Sequence, residues 1–186
     1  MSVFPTLDTE RLRLRPFQLS DAERVRELAG QRAIADTTLR VPHPYEPGMA
    51  EEWISSHAER FAKGEEAVFG ITLRKTGELV GAIGLALSAR DLNAELGYWI
   101  GVPYWGQGYA TEAARAVLRY AFDELRLHRV HACHFARNPA SGRVLERIGM
   151  RHEGFRPQHV RKWDRFEDIA VYGILASDFA AARSDR

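Results

Sequence analysis

The run Tyr104-Trp105-Gly106-Gln107-Gly108-Tyr109-Ala110-Thr111 constrains this chain more than any other stretch. Before it, Ala94-Glu95-Leu96-Gly97-Tyr98-Trp99-Ile100 reads as a strand. After it, Ala110, Ala113, Ala114, Val117, Leu118, Ala121, Phe122 and Leu125 recur on one face of a long helix. Glycines between a strand and a helix let the backbone turn tightly and approach a ligand with no Cβ in the way. The first turn of the helix offers amide N–H groups without intrahelical acceptors and the positive end of the dipole. Together these make an anion site suited to a pyrophosphate. A plain glycine turn entering a helix is the competing reading. Two nucleotide loops are excluded. A P-loop needs Gly-Lys-Ser/Thr, and no lysine lies between Lys75 and Lys162. A dinucleotide fingerprint needs a third glycine in a βαβ unit, whereas Gly108 is followed by Thr111 and the preceding elements are hairpins.

The rest of the chain predicts one α+β domain over residues 8–176, with tails at 1–7 and 177–186. Leu12, Leu14 and Pro16 alternate with arginines in a strand from about Glu10, and Ser20 with Glu23 has capping-box spacing for a helix ending at Gly30. Pro42 to Gly48 is a loop, and Met49 to Lys63 a second helix. Val68–Leu73 and Leu79–Leu85 form a hairpin around Gly77. Arg129–Ala136 is a strand, Pro139–Ile148 a helix closed by Gly149, and His159–Trp163 with Ile169–Leu175 a closing hairpin.

Composition narrows the classes. Lysine and arginine total 26 against 25 aspartate and glutamate, so the basic excess of a dedicated nucleic-acid binder is missing. Four Trp, nine Phe and six Tyr argue for a packed core. Cys133 is the only cysteine, which excludes an internal disulfide. No run approaches the roughly 20 apolar residues of a membrane span, and no signal peptide is visible at the N-terminus, so the expectation is a cytoplasmic protein off the membrane.

Four stretches together resemble the GNAT superfamily of N-acetyltransferases, within it the Rim-type (RimJ/RimL-like) group. They are Thr9–Arg15, Glu95–Ile100, Trp105–Ala113 and Asn138–Met150, in the family's order over nearly the whole chain. The superfamily's loop pattern maps onto Trp105, Gly108 and Ala110, with Trp105 departing from its Arg or Gln. The resemblance implies a mixed, mostly antiparallel twisted sheet flanked by about four helices, with a splayed central strand pair. It implies acetyl-CoA as donor and a primary amine as acceptor; no metal is expected, on the strand parity of the histidines. The pantetheine arm would enter the splay and pair with backbone near Ile100 and Val102, Gly97 and Gly101 marking a bulge or close approach. The amides of Gln107, Gly108, Tyr109, Ala110 and Thr111 would hold the pyrophosphate, with Asn138 and Arg143 as further CoA contacts.

An ammonium cannot attack a thioester, so a proton must leave the acceptor. At pH 7.4 this costs about 4 kcal/mol for a lysine and under about 1 kcal/mol for an α-amine. Glu95 is the one acid inside the strand leading to the loop, matching the family's base-like glutamate. It could act through water if burial raised its proton affinity, or be an exposed alternate position. Asn138-Pro139 has the form of a helix start, Asn at the cap and Pro at the first position. Seven residues after the asparagine, where many members carry a proton-donating tyrosine, stands Leu145; Ser141 is the substitute, as a donor to the sulfur. Backbone N–H groups near Ile100 to Val102 would meet the oxyanion.

Other signals are weaker. By strand parity His128 and His134 share one face and His131 and Cys133 the other, too few per face for a zinc site. Arg156, Arg161, Lys162 and Arg165, with Phe155 and Trp163, read as a solvated hairpin face or a basic aromatic surface for RNA or CoA phosphates. Trp53, Tyr45 and the 42–48 loop fall where related proteins build the acceptor pocket, with the apolar core as rival for Trp53. The acceptor is a protein N-terminus, such as a ribosomal protein's, or a small-molecule amine; the chain is a monomer or homodimer. The alternative from another class is a non-catalytic acyl-CoA-binding sensor or scaffold, which has no use for Glu95.

Overall fold

The computed structural model describes residues 4–184. Eight strands form one sheet in the order β1-β2-β3-β4-β5-β6-β8-β7, and six α-helices accompany it. The strands are β1 (Leu7–Asp8), β2 (Leu12–Pro16), β3 (Glu66–Leu73), β4 (Leu79–Ser88), β5 (Asn93–Ile100), β6 (Arg129–Phe135), β7 (Arg151–Lys162) and β8 (Arg165–Leu175). The helices are α1 (Ala22–Ala29), α2 (Arg32–Thr37), α3 (Met49–Ala62), α4 (Tyr109–Arg119), α5 (Pro139–Arg147) and α6 (Ala176–Ser184).

Every neighbouring pair is antiparallel except β5 and β6. That parallel pair is bonded only from Asn93–Glu95 to Arg129–His131 and then opens. Beyond the fork both strands keep their outer partners: β5 stays in register with β4 from Asn93 to Ile100, and β6 with β8 from Arg129 to Phe135. The splay is therefore built into the sheet, and it leaves backbone groups along two inner edges without a ladder.

Side-chain alternation sorts β5 between two cores. Leu96 and Ile100 join Ala113, Ala114, Val117, Leu118 and Leu145 in the larger core, beneath α4 and α5. Trp99 packs with the smaller cluster of Ala22, Val25, Ala29, Ala50, Ile54 and Leu79. Fully burying side chains such as Val117 and Leu118 contributes about 1.5–3 kcal/mol each, so α4 is firmly seated and its N-terminus is a fixed feature of the site.

Several sequence expectations are corrected. Among the described residues the helices number six rather than about four, because two short ones escaped the periodicity. Six-residue α2 is too short to show a period, although its Ile34 and Ala35 are buried. Residues from Ala176 form α6 instead of an irregular tail, with Phe179 against Phe122 at 5.1 Å. The expected 1–7 tail contributes Leu7 to β1, pairing with Leu14, while residues 1–3 and 185–186 lie outside the described residues. The long helix keeps α-geometry to Arg119 and finishes in one π-turn, Tyr120–Glu124, where the Leu125 N–H reaches the Tyr120 carbonyl. Near α1 the Asp21 carboxylate, rather than Glu23, accepts the N–H three residues back, from Gln18 at 2.8 Å. The closing hairpin begins at Arg151, eight residues before His159. Among the described residues no helix is long and apolar enough to cross a membrane.

Candidate active site

Strand β5 ends at Ile100, a single 3-10 turn carries Val102–Tyr104, and the loop enters α4 through Gly106 and Gly108. Both glycines have positive φ, 76° and 79°, and a Cβ on Gly106 would meet nothing within 4 Å. They are needed for the left-handed backbone. Trp105 replaces the pattern's polar residue with a structural bond: its indole Nε1–H donates to the Ile100 carbonyl at 2.5 Å, tying the loop to the end of β5.

The first intrahelical bond of α4 runs from the Glu112 N–H to the Gly108 carbonyl, so the amides of Tyr109, Ala110 and Thr111 precede any helical acceptor. In the same turn the buried Thr111 hydroxyl oxygen has no hydrogen-bond partner among the described residues. An uncompensated buried hydroxyl is expensive, which fits a site completed by a ligand with acceptor oxygens. Beside it a groove of about 700 Å³ is lined by Thr111, Arg11, Arg115, Arg119 and Arg147, with the carboxylates of Glu10 and Glu112 also on its wall. Arg143 is exposed on α5 one turn before Arg147, and the Arg147 carbonyl accepts from Arg115 at 2.9 Å, which joins α5 to α4. Phosphate oxygens of CoA suit this donor set.

A carboxylate, Glu112, also stands in that first turn and would repel phosphates if left free. It is engaged on all sides, accepting from the Thr9 hydroxyl at 2.6 Å, the Arg11 N–H at 2.8 Å and Arg11 Nε at 2.7 Å. Burial works against its charge, but these donors outweigh burial and hold its carboxyl below the usual range. Arg11 continues to the Gln107 carbonyl at 3.0 Å and lies over the Tyr109 ring. Thr9 and Arg11 thus brace the glycine loop and the first turn of α4, a role that residue type alone did not disclose.

At the other end of β5, Glu95 is its last residue paired with β6, at the vertex of the fork. Its Oε1 lies 3.3 Å from the Cys133 sulfur and its Oε2 3.7 Å from Arg40. The side chain is 38% exposed, so the carboxylate is open, not enclosed as a base tuned by burial would be. Cys133 is exposed as a residue, yet partial enclosure of its thiol, and then Glu95, push it up to about 11. A thiol held protonated is a poor nucleophile.

Across the gap, Asn138 caps α5, its Oδ1 accepting the Ser141 N–H at 3.4 Å. The Ser141 hydroxyl lies 2.8 Å from the Tyr98 hydroxyl, on the opposite side of the fork. Burial, only partly offset by Ser141, pushes Tyr98 up to about 12, so the phenol keeps its proton. Leu145 is buried in the core, away from the gap. A phenol thus stands on β5 beside Ser141, where α5 carries none. Tyr98 lies in the Glu95–Ile100 stretch, but only the fold brings it to Ser141, 43 residues away.

Other site expectations change. No bulge occurs at Gly97, which pairs with Gly84 in an unbroken ladder. Gly101 is close-packed against protein: a Cβ there would lie 2.8 Å from Leu28. The Gly101 N–H donates to the Val80 carbonyl at 2.8 Å, which removes it from the oxyanion donors and leaves the amides of Ile100 and Val102 in that stretch. By the alternation of an antiparallel ladder, Ile100 turns its groups to the gap, although Trp105 already holds its carbonyl. Trp53 belongs to an apolar cluster, 5.0 Å from Phe17 and 4.5 Å from His57. The 156–165 segment is not a free basic face, since Lys162 is 5% exposed and Arg165 pairs with Asp36 and Glu167.

Comparison with known proteins agrees with this geometry. The acetyltransferase (GNAT) domain family matches residues 11–151, and the chain belongs to that family of acetyltransferases. It is 34% identical over 172 residues to the probable N-acetyltransferase YjcK of Bacillus subtilis, covering 89% of this chain and 94% of that protein. A GNAT-family acetyltransferase from Bacillus anthracis superposes with a TM-score of 0.83 at 28% identity, covering 93% and 99% of the two chains. RimL, a ribosomal L7/L12 α-N-protein acetyltransferase solved with coenzyme A, shares the fold with a TM-score of 0.84 at 18% identity over 92% of this chain and 98% of its own.

Proposed function

We propose that the chain transfers the acetyl group of acetyl-CoA to a primary amine by direct attack within a ternary complex, in the manner of the Rim-type enzymes. The observation that carries this is the fork. A carboxylate stands at its vertex, two hydroxyls meet across it, and the N-terminus of α4 lies beyond the end of the same strand.

Each part has a task. The Tyr109–Thr111 amides and the Thr111 hydroxyl hold the pyrophosphate, with Arg143 and the groove arginines supplying positive charge. The inner edges of β5 and β6 present backbone to the pantetheine arm, and Asn138 shapes the mouth of the gap. Glu95 accepts the amine's proton, directly or through one water, as its openness allows. Of the hydrogen-bonded Ser141–Tyr98 pair, one hydroxyl donates to the other, and the second donates to the departing sulfur. The phenol at about 12 is too weak an acid to give up its proton, and a thiolate whose conjugate acid has a pKa of about 8.5 needs only that stabilisation. The protonated Cys133 argues against an acetyl-enzyme. The relation to the probable N-acetyltransferase YjcK supports an amine acceptor.

The test is thiol release from acetyl-CoA with a panel of amines and peptides, with mass detection of the product. Glu95→Gln is expected to lower kcat tens-fold, about the lower end of general-base effects, with coenzyme A affinity unchanged. Binding of coenzyme A without turnover on any amine would instead establish a sensor.

A further inference from the structure

Lys162, on β7, is 5% exposed. A lysine this buried requires partners, and Lys162 has them on the loop after α2: its ammonium donates to the Leu39 carbonyl at 3.1 Å and the Val41 carbonyl at 2.8 Å. The residue between those two held carbonyls is Arg40. Ahead of it, Asp36 takes Arg137 at 3.0 Å and Arg165 at 2.9 Å, and both arginines also bind the buried Glu167. The loop is therefore anchored on both sides of Thr38, and Arg40 is delivered to a defined place.

That place is above Glu95, with Arg40 Nη2 3.7 Å from its carboxylate while the side chain stays 81% exposed. So exposed an ion pair contributes about 0–1 kcal/mol and gives no reason for so firmly anchored a loop. The Arg40 guanidinium has five donors, and one long contact to Glu95 leaves most of them for a ligand. A guanidinium beside Glu95 disfavours a polycation and favours an amine that brings its own negative charge.

We propose that Arg40, held in place by Lys162, selects an acceptor whose primary amine carries a carboxylate a few bonds away: Glu95 faces the nitrogen, and Arg40 the carboxylate. The acceptor class is then small α-amino acids. This rests on the acetyltransferase reading above and names the substrate class of the same site. Arg40 is a specificity-determining residue, and Lys162 a positioning one.

The experiment measures kcat/KM at saturating acetyl-CoA for the L-amino acids, their carboxamides, spermidine and short peptides. The best acid is expected to exceed its carboxamide about ten- to hundredfold, the range of a charge-assisted hydrogen bond. Arg40→Ala should collapse that ratio to within about twofold through the acid's KM, with the KM for acetyl-CoA unmoved, and Arg40→Lys should restore part of it. Lys162→Met should lower the same ratio; if it fails to fold, Arg40→Ala alone decides. A ratio that survives Arg40→Ala, a preference for spermidine or carboxamides, or acetylation confined to peptides overturns the inference and leaves the acetyltransferase intact. No turnover on any amine, with coenzyme A bound, overturns both.

Discussion

His57 makes the stability of this protein depend on pH below neutrality. It lies on α3, 6% exposed, edge-on to Trp53 at 4.5 Å and 5.6 Å from Phe17, and neither ring nitrogen has a partner among the described residues. A charged imidazolium there would have no acceptor. Burial, and to a smaller extent Arg60, pull His57 from its ordinary value near 6.5 down to about 4. The unfolded chain therefore takes up a proton below pH 6.5 that the folded chain refuses until about pH 4, so stability falls with pH across that window. At 1.36 kcal/mol per unit, the loss from this residue is about 2 kcal/mol at pH 5 and about 3 kcal/mol near pH 4. Carboxylates titrate at the lower end too, so the decisive quantity is the difference between wild type and His57→Phe, which keeps an aromatic ring against Trp53. Urea unfolding at pH 7.5, 6, 5 and 4.5 should show the variant losing about 2 kcal/mol less than wild type between pH 7.5 and 5. A constant offset from the larger ring is immaterial. Parallel curves across that range would refute the claim that His57 is held neutral by burial.

Gly108→Ala places a Cβ on a left-handed residue in space that is open apart from Arg11 at 3.5 Å. It should cost about 1–2 kcal/mol in thermal unfolding and weaken coenzyme A binding in calorimetry, with the amine KM unchanged. Tyr98→Phe and Ser141→Ala, made singly and together, should each lower kcat several-fold. The double variant should fall well short of the product of the two, because the 2.8 Å bond makes one unit of them; fully multiplicative rates would show that they act separately.

Short-range pattern carries much of this protein. Alternation in Glu95–Ile100, the stripe from Ala110 to Leu125, the cap at Asn138-Pro139 and the glycines at 106 and 108 each express a preference that a few adjacent residues enforce, and the structure places a strand, a helix, a cap and a left-handed turn there. Period failed where an element was shorter than its own repeat, as in α2, or changed pitch, as in the π-turn at Tyr120.

The tertiary structure decided which side chains meet. Tyr98 reaches Ser141 because β5 and β6 part after three residue pairs, a consequence of where their outer partners continue. Glu112 was an unremarked helix residue until the turn between β1 and β2 brought Thr9 and Arg11 against it, and Lys162 read as a surface charge until the loop after α2 covered it. Local sequence determines backbone conformation because the energies involved act within one turn or one strand. Long-range pairing depends on the packing of the whole sheet, and no spacing along the chain records it.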